Sequence, residues 1–84
     1  MNWEDSFYPL VAGSFHRLPE EINENTRFKK DLKADSLGFL EMILNVECYY
    51  HCVLDDELLS LVITVGDLKR LLGRKIAGMV GVYE

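Results

Sequence analysis

A run of apolar residues with helical spacing follows Asp35 and Ser36, and it constrains the fold more than any other part of the chain. Its members recur at steps of three and four and comprise Leu37, Leu40, Ile43, Leu44, Val46 and Tyr50. This is the period of an amphipathic α-helix. Asp35 and Ser36 carry side-chain oxygens that suit a helix N-terminus. We therefore predict a helix over residues 36–51, with the Ser36 hydroxyl exposed at its positive end.

The segment before this helix divides into a first helix and a long loop. The apolar stripe of the first helix comprises Trp3, Phe7, Leu10, Val11 and Phe15. Pro9 lies inside that stripe, so the helix is expected either to kink there or to begin near Pro9. Residues 18–33 lack periodicity and are rich in proline, asparagine and charged residues, which is typical of a loop. We expect Ile22, Phe28 and Leu32 to pack this loop against the other helices.

Two further helices are predicted beyond residue 51. The acidic residues 55–57 favour the start of a short third helix through Leu61. Thr64 and Asp67 resemble a capping box at the start of a fourth helix. That helix is expected to bury Leu68, Leu71, Leu72 and Ile76. Because no alternating strand pattern occurs, we predict an all-α, four-helix bundle with three longer helices and a short third one, forming a single domain over residues 1–84.

The charges are unevenly distributed along the chain. The sequence has 14 acidic and 9 basic residues, and every basic one lies in residues 17–33 or 69–75. Between these flanks the charged residues are all acidic: Asp35, Glu41, Glu47, Asp55, Asp56, Glu57 and Asp67. Nucleic-acid binding needs a basic stripe, so this pattern argues against it. It favours basic protein surfaces as partners, although a solvated face without a partner is the alternative.

The composition also indicates where such a chain works. The two cysteines, and a start unlike a secretory signal, favour reduced thiols in the cytoplasm. Glu47 and Asp55 interrupt the longest apolar stretch, so no membrane span is predicted.

The segment 20–37 closely resembles the loop and attachment motif of acyl carrier proteins. In it an Asp31-Leu32 step leads into Ala34-Asp35-Ser36-Leu37. The resemblance extends over about residues 3–76. It continues in register through Glu41, Glu47, Tyr50, Leu54, Asp56, Glu57, Val62, Thr64, Val65 and Leu68.

This resemblance implies a non-catalytic carrier that is expected to be a monomer. Ser36 is expected to bear 4′-phosphopantetheine, which a phosphopantetheinyl transferase would transfer from coenzyme A, and the arm would hold acyl groups as thioesters. Asp35 is expected to assist magnesium binding during loading, and Leu37 to flank the attachment site. In the family the acyl chain can retreat between the helices. The residues expected to line its path, or simply to pack in the core, are Leu40, Ile43, Leu44, Val46, Leu54, Val62, Leu68 and Leu72.

The resemblance also implies a partner surface on the second and third helices. Synthases and acyltransferases with basic docking patches are expected to contact Leu37, Glu41 and Glu47. Met42 and Gly38 are expected to border this contact. The alternative for all of these residues is ordinary helix surface.

Some positions depart from the pattern of the acyl carrier family. These departures allow functions other than that of a general acyl carrier. Cys48, Tyr49 and His51 replace part of the usual acidic cluster, which suggests a dedicated partner. Cys48, His51 and Cys52 would share one helix face, as in a metal or redox site, but they lack a fourth ligand and the expectation is no metal. An aminoacyl or peptidyl carrier and an unmodified protein-interaction module also stay open as functions of this chain.

Overall fold

The computed structural model describes residues 2–83, and the side chains of residues 2–78. The described chain forms four α-helices: α1 (Glu4–Ser14), α2 (Ser36–Tyr50), α3 (Asp56–Leu59) and α4 (Val65–Tyr83). A 3₁₀ turn, Pro19–Glu21, lies in the loop between α1 and α2. The described residues contain no β-strand, only one isolated antiparallel bridge between Arg27 and Thr64. The predicted all-α bundle with a short third helix is confirmed.

Helix α1 begins at Glu4 and contains Pro9, so of the two expected alternatives the start near Pro9 is wrong. The reason is a set of contacts to the end of α2. The Tyr50 hydroxyl hydrogen-bonds the Ser6 hydroxyl at 2.7 Å and donates to the Trp3 carbonyl oxygen at 3.1 Å. The Trp3 ring also meets Tyr50 edge-on, with 6.2 Å between the ring centroids. These tertiary contacts hold the first turn despite the backbone donor that Pro9 lacks.

The core lies where α1, α2, α4 and the α1–α2 loop meet. Its buried members are Phe7, Val11, Ala12, Ile22, Phe28, Leu32, Met42, Ile43, Val46, Leu54, Val65, Leu68 and Leu72. The loop residues Ile22, Phe28 and Leu32 are buried, as predicted. Helix α3 contributes no fully buried residue and is a single turn capped by Asp55, which accepts the Glu57 N–H at 2.9 Å.

A capping box starts α4, as predicted from Thr64 and Asp67. The Asp67 N–H donates to the Thr64 hydroxyl at 3.1 Å, and Asp67 accepts the N–H groups of Thr64 and Ile63, both at 3.0 Å. These two N–H donors, from Thr64 first and then Ile63, hold the pKa of Asp67 below its usual value. Because the folded pKa is lowered, the cap stabilises the fold above the ordinary carboxyl pKa. That contribution is lost as the pH falls through the lowered value.

The α1–α2 loop is fastened to the start of α4 by backbone hydrogen bonds. The Phe28 N–H donates to the Ile63 carbonyl at 3.0 Å, and the Val65 N–H to that of Thr26 at 2.8 Å. The Gly66 N–H donates to the Glu24 carbonyl at 2.9 Å. These bonds fix the loop that leads directly into Ser36.

Candidate functional site

Ser36 is the first residue of α2, and its side chain is exposed. Asp35 caps the helix, because its Oδ1 accepts the Gly38 N–H at 2.6 Å. A Cβ at Gly38 would lie 3.0 Å from that Oδ1, so a glycine at this position avoids crowding the capping carboxylate. The N–H groups of Ser36 and Leu37 belong to the first turn and have no acceptor within the helix. They remain available to an anion attached at Ser36.

The surroundings of Ser36 fit a phosphodiester. Within residues 2–78, the Ser36 hydroxyl makes no hydrogen bond to a side chain that could act as its base. The α2 dipole favours negative charge at this end of the helix. The start of α2 therefore offers N–H donors and a favourable dipole to a phosphate attached at Ser36.

A cleft of about 1180 Å³ opens beside Ser36 and follows α2 as far as Glu47. We call it the α2 cleft. Its apolar lining consists of Phe28, Ala34, Phe39, Leu40, Ile43, Leu44, Val53, Leu54, Leu59, Val62 and Ile63. Lys29 and Lys30, on the loop before Ser36, also line it, whereas Asp55 and Asp56 line it on the α3 side. The α2 cleft is thus an apolar trough with charged margins.

The structure divides the residues that were expected to line an acyl path. Those that line the α2 cleft are Leu40, Ile43, Leu44, Leu54 and Val62. Val46, Leu68 and Leu72 are instead fully buried in the core, which is the alternative that their sequence positions left open. Sequence reasoning missed Phe39 in the cleft, although its position three residues after Ser36 on the same helix was a usable signal.

The expected partner residues also divide by burial. Leu37 is 64% exposed, and Glu41 is exposed as well. Met42 is 0% exposed, so its expected place at the partner surface is wrong. Met42 lies on the buried side of α2 and belongs to the same core cluster as Ile43 and Val46. Gly38 is half-buried, and Glu47 is half-buried with a hydrogen bond from the Leu54 N–H at 2.8 Å.

Cys48, His51 and Cys52 do not share one helix face, which corrects that expectation. Helix α2 ends at Tyr50, and His51 adopts a left-handed conformation with φ of 54°. In the described part of the chain, no three His, Cys, Asp or Glu side chains could together hold a metal ion. Cys48 is exposed, whereas burial and the nearby Glu47 carboxylate raise the pKa of the half-buried Cys52 thiol.

Removing the cap beside Ser36 is expected to destabilise the protein modestly. In Asp35→Ala the Gly38 N–H loses its acceptor, which lowers the free energy of unfolding by about 1 kcal/mol. Asp35→Asn keeps an oxygen at that position and is expected to retain most of the stability. Urea denaturation of the three proteins measures both effects. Equal losses in the two variants would contradict the capping role.

Ser36 is thus exposed at the start of α2 and lies beside the apolar α2 cleft. The family model described as "Phosphopantetheine attachment site" matches residues 8–72. Similar proteins include the acyl carrier protein of Wolinella succinogenes, 33% identical over 66 residues, which are 79% of this chain and 87% of the relative. The acyl carrier protein of Lactobacillus acidophilus is 38% identical over 58 residues, which are 69% and 72% of the two chains.

A third relative, the acyl carrier protein of Shigella flexneri, is 31% identical over 65 residues, or 77% of this chain and 83% of the relative. The chain belongs to the acyl carrier protein family. Members of this family are carriers and not catalysts, and the attachment domain implies a phosphopantetheine prosthetic group. Within the described residues, no helix has both the length and the apolar character needed to cross a bilayer.

Proposed function

We propose that this chain carries acyl groups as thioesters on a 4′-phosphopantetheine arm attached to Ser36. The observation that carries the proposal is the placement of Ser36, which is exposed at the N-terminus of α2 and lines the α2 cleft. One location therefore offers a modifiable hydroxyl and an apolar trough within reach of whatever is attached there.

Each part of the site has a separate task in this function. The arm, when attached, supplies a terminal thiol that forms the thioester. Asp35 organises the first turn of α2 by accepting the Gly38 N–H, which leaves the earlier N–H groups for the phosphodiester. The α2 cleft shelters apolar cargo from water, which stabilises the loaded protein in proportion to the apolar area buried.

The proposed docking surface consists of Leu37 and Glu41 on α2 and the acidic residues 55–57 at α3. All of these residues are exposed. An exposed apolar side chain on a face that also bears carboxylates fits a partner with an apolar contact and a basic rim, such as a phosphopantetheinyl transferase, a synthase or an acyltransferase. The departures from the family pattern at Cys48, Tyr49 and His51 favour a dedicated partner. The two free cysteines suit a reducing compartment, the cytoplasm.

The test is whether the protein can hold an acyl group as a thioester. The apo protein is incubated with octanoyl-coenzyme A, Mg²⁺ and a broad-specificity phosphopantetheinyl transferase, and its intact mass is followed. We expect an acyl-phosphopantetheine increment whose acyl part is released by neutral hydroxylamine, which cleaves thioesters. Ser60→Ala, which removes the other serine hydroxyl of the α2 cleft, is expected to load normally. A folded wild type that takes up no group would contradict the proposal and favour an unmodified interaction module.

A further inference from the structure

Glu47 differs from the other acidic residue in the body of α2. Glu41 is exposed, whereas Glu47 is half-buried and its Oε2 accepts the Leu54 N–H at 2.8 Å. The Glu47 carbonyl oxygen also accepts the Cys52 N–H at 3.0 Å. The backbone and the side chain of one residue thus fasten the segment that follows α2. One oxygen of the Glu47 carboxylate is therefore engaged in holding the fold.

The fastened segment forms one wall of the α2 cleft. Leu54 is 2% exposed and lines the cleft together with Val53 and Asp55. Glu47 lines the cleft from the α2 side, eleven residues or about 16 Å of helix beyond Ser36. The hydrogen bond from Leu54 therefore joins the two walls at the end of the cleft that is remote from Ser36.

We propose that Glu47 is the residue that closes the far end of the α2 cleft and so limits the length of the acyl chain that the cleft can hold. The proposal rests on the proposed carrier function. A chain that grows toward Glu47 meets a carboxylate, and covering a charged group with methylenes is unfavourable. The carboxylate does not simply swing aside, because that would leave the nearly buried Leu54 N–H without its acceptor.

The first test uses the apo protein and needs no cargo. Hydrogen exchange at the Leu54 amide is compared in wild type, Glu47→Ala, Glu47→Gln and Glu41→Ala. We expect Glu47→Ala to accelerate exchange by roughly tenfold or more, because the acceptor is gone. Glu47→Gln keeps an acceptor oxygen and is expected to stay near the wild-type rate. Glu41→Ala removes the same charge from an exposed site and is expected to have no effect.

The second test measures chain length directly. Each protein is loaded with a series of straight saturated acyl groups from butyryl to hexadecanoyl, and the rise in Tm over the form carrying the bare arm is recorded. In the wild type, the rise is expected to grow with each buried methylene and then to level off. In Glu47→Ala the rise in Tm is expected to level off at an acyl chain roughly two carbons or more longer than in the wild type, because the deleted side chain leaves room for the added carbons. Glu47→Gln keeps the side-chain volume and an acceptor for the Leu54 N–H, and covering its amide with methylenes is also unfavourable, so it is expected to level off close to the wild type.

The outcomes separate this inference from the function on which it rests. Levelling at the same chain length in wild type and Glu47→Ala would overturn the role of Glu47, while successful loading would leave the carrier function intact. Unchanged exchange at Leu54 in Glu47→Ala would overturn the fastening of the wall. If the wild type cannot be loaded at all, the proposed function fails and the cargo role of Glu47 fails with it.

Discussion

Replacing Phe28 by alanine is expected to leave much of the protein unfolded. Phe28 is 2% exposed, and its ring lies 5.2 Å from that of Phe39 and 6.0 Å from that of Phe15, measured between centroids. Truncating a buried phenylalanine lowers the free energy of unfolding by about 3–5 kcal/mol. Domains have only about 5–15 kcal/mol in total, and one of this size is expected near the lower end.

The effect should reach Ser36, because Phe28 packs the loop that leads into α2. Thermal unfolding followed by circular dichroism is expected to show Tm lowered by roughly 15 °C or more. Leu18→Ala is the matched control, since it truncates an exposed apolar residue of the same loop. It is expected to change stability by less than about 0.5 kcal/mol. A Phe28→Ala protein as stable as Leu18→Ala would contradict the anchoring role of Phe28.

The second large effect is expected from Gly66→Ala at the start of α4. A Cβ at Gly66 would lie 2.7 Å from the carbonyl oxygen of Glu24, and that oxygen accepts the Gly66 N–H. The added methyl must push the two backbones apart and so break the hydrogen bond that holds the loop. We expect the free energy of unfolding to fall by about 2 kcal/mol or more, measured by urea denaturation.

Gly78→Ala is the control for this substitution in the same helix. A Cβ at Gly78 meets nothing within 4 Å. Alanine there is expected to raise the free energy of unfolding by about 0.5–1 kcal/mol, because alanine has the higher helix propensity. If both alanine variants were stabilised, the close approach of Gly66 to the loop would be contradicted.

Features determined by neighbouring residues could be predicted from the sequence. The cap at Asp35, the start of α2 at Ser36 and the capping box of Thr64 and Asp67 each depend on residues within one helical turn. The placement of Ser36 at an exposed helix start followed from the same local pattern. So did the acidic start of α3, although that helix is shorter than the predicted span.

Features determined by packing between distant segments could not be predicted in the same way. Met42 and Leu44 are both apolar residues of α2, yet Met42 is buried and Leu44 lies at the cleft. Which of them faces the core depends on where α1 and α4 pack, and the helical period alone leaves that open. Likewise, Tyr50 contacts Trp3 and Ser6 at the start of α1, and no local pattern contains these contacts.

The α2 cleft also combines features set by neighbouring residues with features set by contacts between distant segments. Its α2 wall has the helical spacing seen in the sequence, whereas its other walls depend on the pairing of Arg27 with Thr64 and on the bond between Glu47 and Leu54. In both contacts the two partners do not belong to the same helix. The hydrogen bond that ties Glu47 to the cleft wall is therefore a feature of the folded chain that the sequence pattern does not contain.

The most direct test of Ser36 as the attachment site is the mass of the protein after phosphopantetheine transfer. Wild type, Ser36→Ala and Ser60→Ala, each first shown by mass to lack the arm and by circular dichroism to be folded, are incubated with coenzyme A, Mg²⁺ and the transferase. We expect a single phosphopantetheine increment on wild type and on Ser60→Ala, and none on Ser36→Ala. An increment on Ser36→Ala, or none on the folded wild type, would contradict the assignment of Ser36.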